Sequence, residues 1–141
     1  MNKVLLLSCL ALTLVLFASG APTLPPPTTL LQYLIPDLIE VQKKLNDVSE
    51  RMKRYELYIP SNASSIADLQ CFTKELNPVA EALKYESREA SDIQDHISNI
   101  NLTVNNLMGS ETQCHYAAKI KIAGFFQEFI TFCQRLIQLT R

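Results

Sequence analysis

The side chains that could carry acid–base, thiol or metal chemistry are few and scattered in this sequence. Cys114 directly precedes His115. These two residues could act as a thiol nucleophile and its base. His96 lies close to Asp92 and Asp95, which is typical of a solvated helix face, because a metal site needs more clustered ligands. The sequence has no HExxH, no CxxC and no glycine-rich phosphate loop. We therefore predict no catalytic residue, no metal, no cofactor and no enzymatic activity.

The cysteines predict one disulfide and one free thiol. Cys9 lies in a predicted leader, which leaves three thiols for an oxidising compartment. Cys133 lies inside the apolar run 129–133 and is predicted to be a buried free thiol. Cys71 and Cys114 lie near the ends of predicted elements, where a bridge is easier to build, so we expect them to pair. A thiol hydrolase with a reactive Cys114 or Cys133 is the enzymatic alternative.

The first 20 residues have the pattern of a signal peptide. Lys3 supplies a positive start, residues 4–17 are mostly apolar, and residues 18–20 are small enough for cleavage. The apolar run is shorter than the ~20 residues of a membrane span, so a membrane anchor is the weaker alternative. We predict a secreted, extracellular chain that begins at Ala21.

The charge of the remaining 121 residues excludes two classes of partner. Without Lys3, 12 basic residues stand against 14 acidic ones. This balance does not suit a nucleic-acid binder, which neutralises phosphates with basic side chains. It does not suit a helix lying on lipid either, since such helices have a basic polar face. We predict no nucleic-acid partner and no membrane insertion.

Apolar residues recur at three- and four-residue steps in four segments, which predicts four amphipathic helices. The predicted helices span about 30–48, 67–85, 91–108 and 117–139. Pro36 should kink the first helix or place its start near Ile35, Pro78 should bend the second, and Gly109 should end the third.

Four such helices predict an all-α four-helix bundle over residues 30–141. Residues 21–29 form a Pro/Thr-rich N-terminal segment ahead of it, and residues 49–67 form a long connection that ends in a loop over 60–65. A connection of that length lets the first two helices run parallel, as in an up-up-down-down bundle, although loop lengths alone do not prove this topology.

Several polar positions have both a plain and a functional interpretation. The sequons at Asn62 and Asn101 are N-glycosylation candidates, the first in a loop and the second within a helix, where only the solvent face accommodates a glycan. Residues 51–58 are either a solvated basic loop or a recognition surface, since Arg, Met and Tyr are enriched at interfaces. Asp95 and Asn99 share one helix face, and most such faces are merely solvated.

An ordered set of short motifs runs through residues 21–141. The motifs are Ala21-Pro22-Thr23, Arg51-Met52, Tyr58-Ile59-Pro60, Leu69-Gln70-Cys71, Glu75-Leu76-Asn77-Pro78, Ile97-Ser98-Asn99-Ile100-Asn101, Gly109-Ser110-Glu111-Thr112, Cys114-His115-Tyr116-Ala117 and Ile130-Thr131-Phe132-Cys133-Gln134. Together they resemble the interleukin-2 family of short-chain four-helix cytokines. The resemblance is specific because the motifs occur in the family's order over essentially the whole mature sequence.

The resemblance implies a monomeric, disulfide-bonded, up-up-down-down bundle with the bridge Cys71–Cys114 and a free Cys133. It also implies a growth-factor-like cytokine that assembles interleukin-2 receptor alpha, beta and common gamma chains to drive T-lymphocyte proliferation and immune regulation. The residues at the alpha-chain positions are Arg51, Met52, Tyr55, Tyr58, Glu75 and Tyr85. Those at the beta-chain positions are Glu40, Asp95 and Asn99, and those at the gamma-chain positions are Gln42, Thr131 and Gln134.

Some residues depart from the family pattern, and other functions compete with this one. Pro36 replaces a helix-forming residue near the beta-chain contact, and Arg135 adds a positive charge beside Gln134.

A related ligand of the common gamma chain is the closest alternative function. A secreted lipid-carrying bundle is another, but the well-filled apolar stripes of the four helices leave little room for a lipid cavity.

Overall fold

The computed structural model describes residues 27–86, 88–107 and 113–139. Its elements, in chain order, are α1 (Pro27–Lys44), α2 (Glu50–Lys53), β1 (Glu56–Pro60), α3 (Leu69–Leu83), α4 (Arg88–Leu107), β2 (Tyr116–Lys121) and α5 (Ile122–Leu139). Short 3-10 turns span Leu45–Asp47 and Ile66–Asp68. The predicted signal peptide, most of the Pro/Thr-rich segment and the predicted helix end at Gly109 lie outside the described residues.

Side-chain contacts between α1 and α4 fix their relative direction. The Asp37 carboxylate lies 2.9 Å from Nδ1 of His96, and Nζ of Lys44 lies 3.7 Å from a carboxylate oxygen of Asp92. Of these two contacts, the one nearer the end of α1 is therefore the one nearer the start of α4. The two helices are antiparallel.

The same reasoning gives the directions of α3 and α5. Gln94 of α4 donates to the Ala80 carbonyl near the end of α3, whereas Asn105, near the end of α4, shares a cleft with Gln70 at the start of α3. Similarly, Gln42 of α1 donates to Gln127 of α5, and Ile122 at the start of α5 lines a cleft with residues that follow α1. Both α4 and α5 are thus antiparallel to α1, and α3 is parallel to it. The predicted all-α, up-up-down-down four-helix bundle is confirmed.

An aromatic cluster joins α3 to α5 in the core. The ring of Phe72 stacks on Phe129 with centroids 4.6 Å apart and on Phe132 at 5.3 Å. Phe125 meets Phe129 edge-on, at an interplanar angle of 83°. Such ring pairs contribute about 0.5–1.5 kcal/mol each beyond the burial of their apolar area. The cluster therefore favours one register between two helices that are far apart in sequence.

Pro36 does not end or delay α1. The helix begins at Pro27, so the predicted late start near Ile35 is wrong, and Pro36 is an exposed residue inside the helix. An interior proline costs ~3 kcal/mol. Leu34 and Leu38, on either side of it, are completely buried, and burying a leucine side chain contributes about 1.5–3 kcal/mol. The buried stripe thus offsets the proline and keeps the segment helical.

The connections contain strands that the helical periodicity did not predict. Residues 117–121 belong to β2 and not to the fourth helix, and the 49–67 connection contains α2 and β1. The two strands pair antiparallel, with Glu56 opposite Lys121 and Tyr58 opposite Lys119. β2 is almost entirely exposed, so no buried apolar face favours a helix there, and its backbone groups bond to β1 instead. We call this pair the β ribbon.

The predicted disulfide Cys71–Cys114 is confirmed. It joins the first turn of α3 to the residues that precede β2. The hydroxyl of Tyr116 donates to the Cys71 carbonyl over 3.0 Å, so a hydrogen bond supports the same junction. The β ribbon is therefore tied to α3.

Removing both disulfide cysteines as Cys71→Ala and Cys114→Ala should lower the free energy of unfolding. The bridge spans a sequence separation of 43 residues. In the chain-entropy account, closing a loop of that size contributes about 4 kcal/mol. Urea unfolding of the oxidised wild type and the double variant measures the difference. Equal free energies would contradict a stabilising role for the bridge.

Cys133 is free and completely buried among the residues of the core. Burial raises the pKa of its thiol to about 12, because the thiolate loses its hydration there. Since the thiolate is the reactive form, we expect no maleimide labelling of native protein at pH 8 and complete labelling in denaturant. Rapid labelling of the native protein would contradict this burial and would favour the thiol-enzyme alternative.

Candidate functional site

The beta-chain positions lie on two adjacent helices. Glu40 is one turn beyond Asp37 on α1, and Asp95 and Asn99 flank His96 on α4. Since Asp37 and His96 are in contact, the three predicted residues belong to one surface, which we call the α1–α4 face. Asp95 and Asn99 are exposed. This face presents carboxylate and amide oxygens to solvent and suits a partner that donates hydrogen bonds.

The gamma-chain positions lie on α1 and α5 and are joined by a residue that the sequence reasoning missed. Gln42 Nε2 donates to Gln127 Oε1 over 3.0 Å, and Gln127 Nε2 donates to the Thr131 hydroxyl over 3.4 Å. Gln134 is exposed one turn further along α5. We call this surface the α1–α5 face. The spacing 127, 131, 134 follows one side of a helix and was the available signal for Gln127.

The alpha-chain positions lie on α2, β1 and α3 and in the residues that directly follow α2 and α3, and we call them the capture surface. Arg51 Nη2 lies 2.8 Å from Glu86 Oε1, and the Ser49 hydroxyl donates to the same oxygen over 3.1 Å. The Arg51 side chain is 76% exposed, whereas that of Glu86 is 8% exposed. Arginine has five N–H donors. Glu86 thus holds one edge of the guanidinium and leaves its other donors facing solvent.

An apolar groove of about 340 Å³ lies beside this ion pair, between α2 and the end of α3. Tyr55, Ala82 and Tyr85 line it together with Arg51 and Met52. Tyr85 is 84% exposed, but Met52 is only 2% exposed and belongs to the core. Met52 therefore forms the floor of the groove, and Tyr85 is the aromatic side chain of this surface with the largest exposed fraction.

The other two alpha-chain positions lie where β1 meets α3. Glu75 Oε1 accepts a hydrogen bond from the Tyr58 backbone N–H over 2.7 Å. The exposed Tyr58 ring lies 6.1 Å from the ring of Tyr116 and has the Lys119 ammonium 4.8 Å from its centre. Glu75 therefore fixes the strand, and the β ribbon presents Tyr58.

The two glycosylation candidates have different surroundings. Asn62 is exposed in a turn after β1 and has a positive φ of 57°, a conformation that asparagine tolerates. Asn101 is half-buried on α4, in a polar cleft that α4 forms with α3.

The described residues hold no group of three His, Cys, Asp or Glu side chains that could bind a metal ion. Cys114 is consumed by the disulfide, so it does not provide a thiol for His115 to activate. Across 27–86, 88–107 and 113–139, the helices contain no stretch long and apolar enough to cross a bilayer. The notable features of this part of the chain are two polar faces and the capture surface, which combines an ion pair with an apolar groove.

Comparisons with known proteins agree on one family. A family model described as Interleukin 2 matches residues 7–138. Interleukin-2 of Lama glama is 38% identical, and the match covers 96% of this chain and 97% of that protein. Interleukin-2 of Oryctolagus cuniculus is 37% identical, with 97% of each chain covered. Interleukin-2 of Orcinus orca is 36% identical and covers 97% of this chain and 99% of its own length.

Substituting Glu86→Gln should destabilise the protein at neutral pH and have less effect in acid. The hydrogen bond from Arg51, followed by that from Ser49, lowers the pKa of the Glu86 carboxyl in the folded state. The carboxylate therefore contributes fully to the free energy of unfolding at pH values above 4.5, the ordinary pKa of a glutamate. This contribution is lost as the pH falls through the lower pKa of the folded state. Urea unfolding of both proteins from pH 7 to pH 3 tests this.

Glu50→Gln is the matched control for that experiment, because it removes the other carboxylate ion pair of α2, with Lys53, and changes the net charge equally. A difference between wild type and Glu86→Gln that stays constant from pH 7 to pH 3 would show that the Glu86 carboxylate does not contribute through its charge.

Proposed function

The chain belongs to the interleukin-2 family of cytokines, and from this premise we propose that it is secreted and assembles a receptor of alpha, beta and common gamma chains. Through that assembly it drives T-lymphocyte proliferation and immune regulation. The observation that carries the proposal is that the three predicted residue sets lie on three different parts of one bundle. A single molecule therefore has room to bind three receptor chains at once.

The α1–α4 face binds the beta chain in this proposal. Glu40 and Asp95 supply carboxylates, and Asn99 supplies an amide that both donates and accepts hydrogen bonds. The contact between Asp37 and His96 holds the two helices together behind these side chains. A partner with basic and hydrogen-bonding groups would complement such a face, and charge complementarity of this kind speeds association.

The α1–α5 face binds the common gamma chain in this proposal. Its hydrogen-bond chain from Gln42 through Gln127 to Thr131 is uncharged, in contrast to the α1–α4 face. Each glutamine in that chain has further donor or acceptor capacity for a partner. Gln134 adds another exposed amide, next to the cation of Arg135, which lies 5.8 Å from the centre of the Phe132 ring. The chemistry of the two faces thus differs enough to select different receptor chains.

The capture surface binds the alpha chain in this proposal. Arg51 offers free guanidinium donors, and Tyr85 and the groove offer apolar area, a combination enriched in binding hot spots. Binding of a membrane-anchored alpha chain would convert the next steps into encounters at high effective concentration. The capture surface would then raise sensitivity, while the other two faces bring the signalling chains together.

Secretion and a monomeric state complete the proposal. The leader of residues 1–20 supports export, and the disulfide is suited to an oxidising compartment. The proposal needs no second copy of the chain, because the three surfaces lie on different sides of one molecule.

Substituting Asn99→Arg should abolish signalling without unfolding the protein. Asn99 is exposed, and the change puts a long cation on the α1–α4 face, where the proposed receptor chain docks. The measurement is STAT phosphorylation in activated T cells of the source species, treated with refolded residues 21–141. We expect a response to the wild type and none to the variant.

Asn105→Arg is the matched control. Asn105 is also an exposed asparagine of α4, but it lies beside α3 and away from α1. The signalling activity of the Asn105→Arg protein should therefore equal that of the wild type. Full potency of folded Asn99→Arg would exclude the α1–α4 face as the site. No response to a correctly folded wild type would contradict the receptor assembly itself and would favour the lipid-carrier alternative.

A further inference from the structure

A polar cleft of about 260 Å³ lies between α3 and α4, on a part of the bundle to which no receptor chain is assigned above. The residues that line it are Gln70, Thr73, Lys74, Asn77, Asn101 and Asn105. One of them, Asn101, is also the acceptor residue of the sequon Asn101-Leu102-Thr103. The side chain that a glycan would modify therefore lies in a cleft that could receive its first sugar.

Four of the polar side chains that line this cleft have unused hydrogen-bonding capacity. Within the described residues, the side-chain amides of Asn77, Asn101 and Asn105 make no hydrogen bond to another residue, and Lys74 makes no ion pair. Amides offer two donors and an acceptor, and an ammonium group offers three donors. The hydroxyl and acetamido groups of N-acetylglucosamine need such partners. The cleft thus matches a sugar in size and in chemistry.

We propose that Asn101 carries an N-linked glycan whose first N-acetylglucosamine lies in this cleft. The donor is a lipid-pyrophosphate-linked oligosaccharide of the secretory pathway. Nδ2 of Asn101 forms a bond to the anomeric carbon of the sugar, and the bond from that carbon to the pyrophosphate oxygen breaks. The pyrophosphate leaves with the electron pair, the Nδ2 proton passes to a base of the transferase, and nothing is oxidised or reduced.

The position of Asn101 within a helix does not prevent the reaction, because the transferase acts on the chain before it folds. The folded state must then accommodate the sugar, and the open cleft allows this. Asn99 and Asn101 are two residues apart, which is about 200° around a helix of 3.6 residues per turn. The glycan therefore projects from the opposite side of α4 to Asn99 and leaves the α1–α4 face free.

The full chain, with its leader, should be expressed in mammalian secretory cells as Ser64→Ala. This variant removes the Asn62 sequon but keeps Asn62, whose positive φ of 57° suits asparagine, and leaves Asn101 in the one remaining sequon. We expect intact mass spectrometry to find one glycan that peptide-N-glycosidase removes, converting Asn101 to Asp.

Further changes on the Ser64→Ala background, at Thr103 and at Asn101, identify the site. Thr103→Ala should lose the glycan, whereas Thr103→Ser should keep it, because serine preserves both the sequon and a hydroxyl that can bond to the Asn99 carbonyl as Thr103 does. Asn101→Gln provides a second test if Thr103→Ala folds poorly. Secreted Ser64→Ala protein without a glycosidase-sensitive mass would overturn the proposal.

The rate of glycan release tests whether the sugar lies in the cleft. The probe is peptide-N-glycosidase, applied to Ser64→Ala protein in its native form and after unfolding. We expect release from the native protein to be several-fold slower, because α3 and α4 flank the half-buried linkage and hinder the glycosidase, and to accelerate on unfolding. Thr103→Ala in the otherwise wild-type chain keeps only the sequon at the exposed Asn62, and its glycan is the control for general resistance of the native protein. Equal native and unfolded rates at Asn101 would overturn the placement in the cleft.

Discussion

The buried stripe of α1 is the constraint on which the other features depend. Leu31, Leu34, Leu38 and Val41 have no exposed surface, and α4 and α5 both pack against the helix that carries them. Because α1 packs against both helices, its polar residues are divided between two faces. The same helix supplies Glu40 to one face and Gln42 to the other. Packing of the apolar stripe therefore sets the relative position of both predicted receptor faces.

The capture surface depends on a different set of interactions. The disulfide and the hydrogen bond from Tyr116 tie the β ribbon to α3, and the Ile122 N–H donates to the Tyr55 carbonyl over 2.8 Å, which ties the segment after α2 to the start of α5. The ion pair of Arg51 with Glu86 then joins α2 to the turn after α3. A short helix of four residues has little stability of its own. These links, and the burial of Met52, hold it in place.

The sequence predicted the bundle well because its apolar spacing is regular. Ile93, Ile97, Ile100 and Val104 are all buried, as the steps of three and four residues indicate. The β ribbon could not be predicted in this way, since its stability comes from pairing two distant segments. Gln127 and Glu86 were missed for the same reason: each bonds to a side chain more than thirty positions away. The resemblance supplied the site residues, but only the structure supplied their partners.

Each of the three surfaces is held by a polar contact between different elements: Asp37 with His96, Gln42 with Gln127, and Arg51 with Glu86. Polar contacts near the surface of a protein each add only about 0–1 kcal/mol to the stability of a fold. Their larger effect is on binding, because a side chain that is already held loses less conformational freedom when a partner docks. Each contact also satisfies only part of the polar capacity of its residues, so further donors and acceptors are free to meet a partner. In the proposed function, the side chains that position each surface would therefore also be available for recognition.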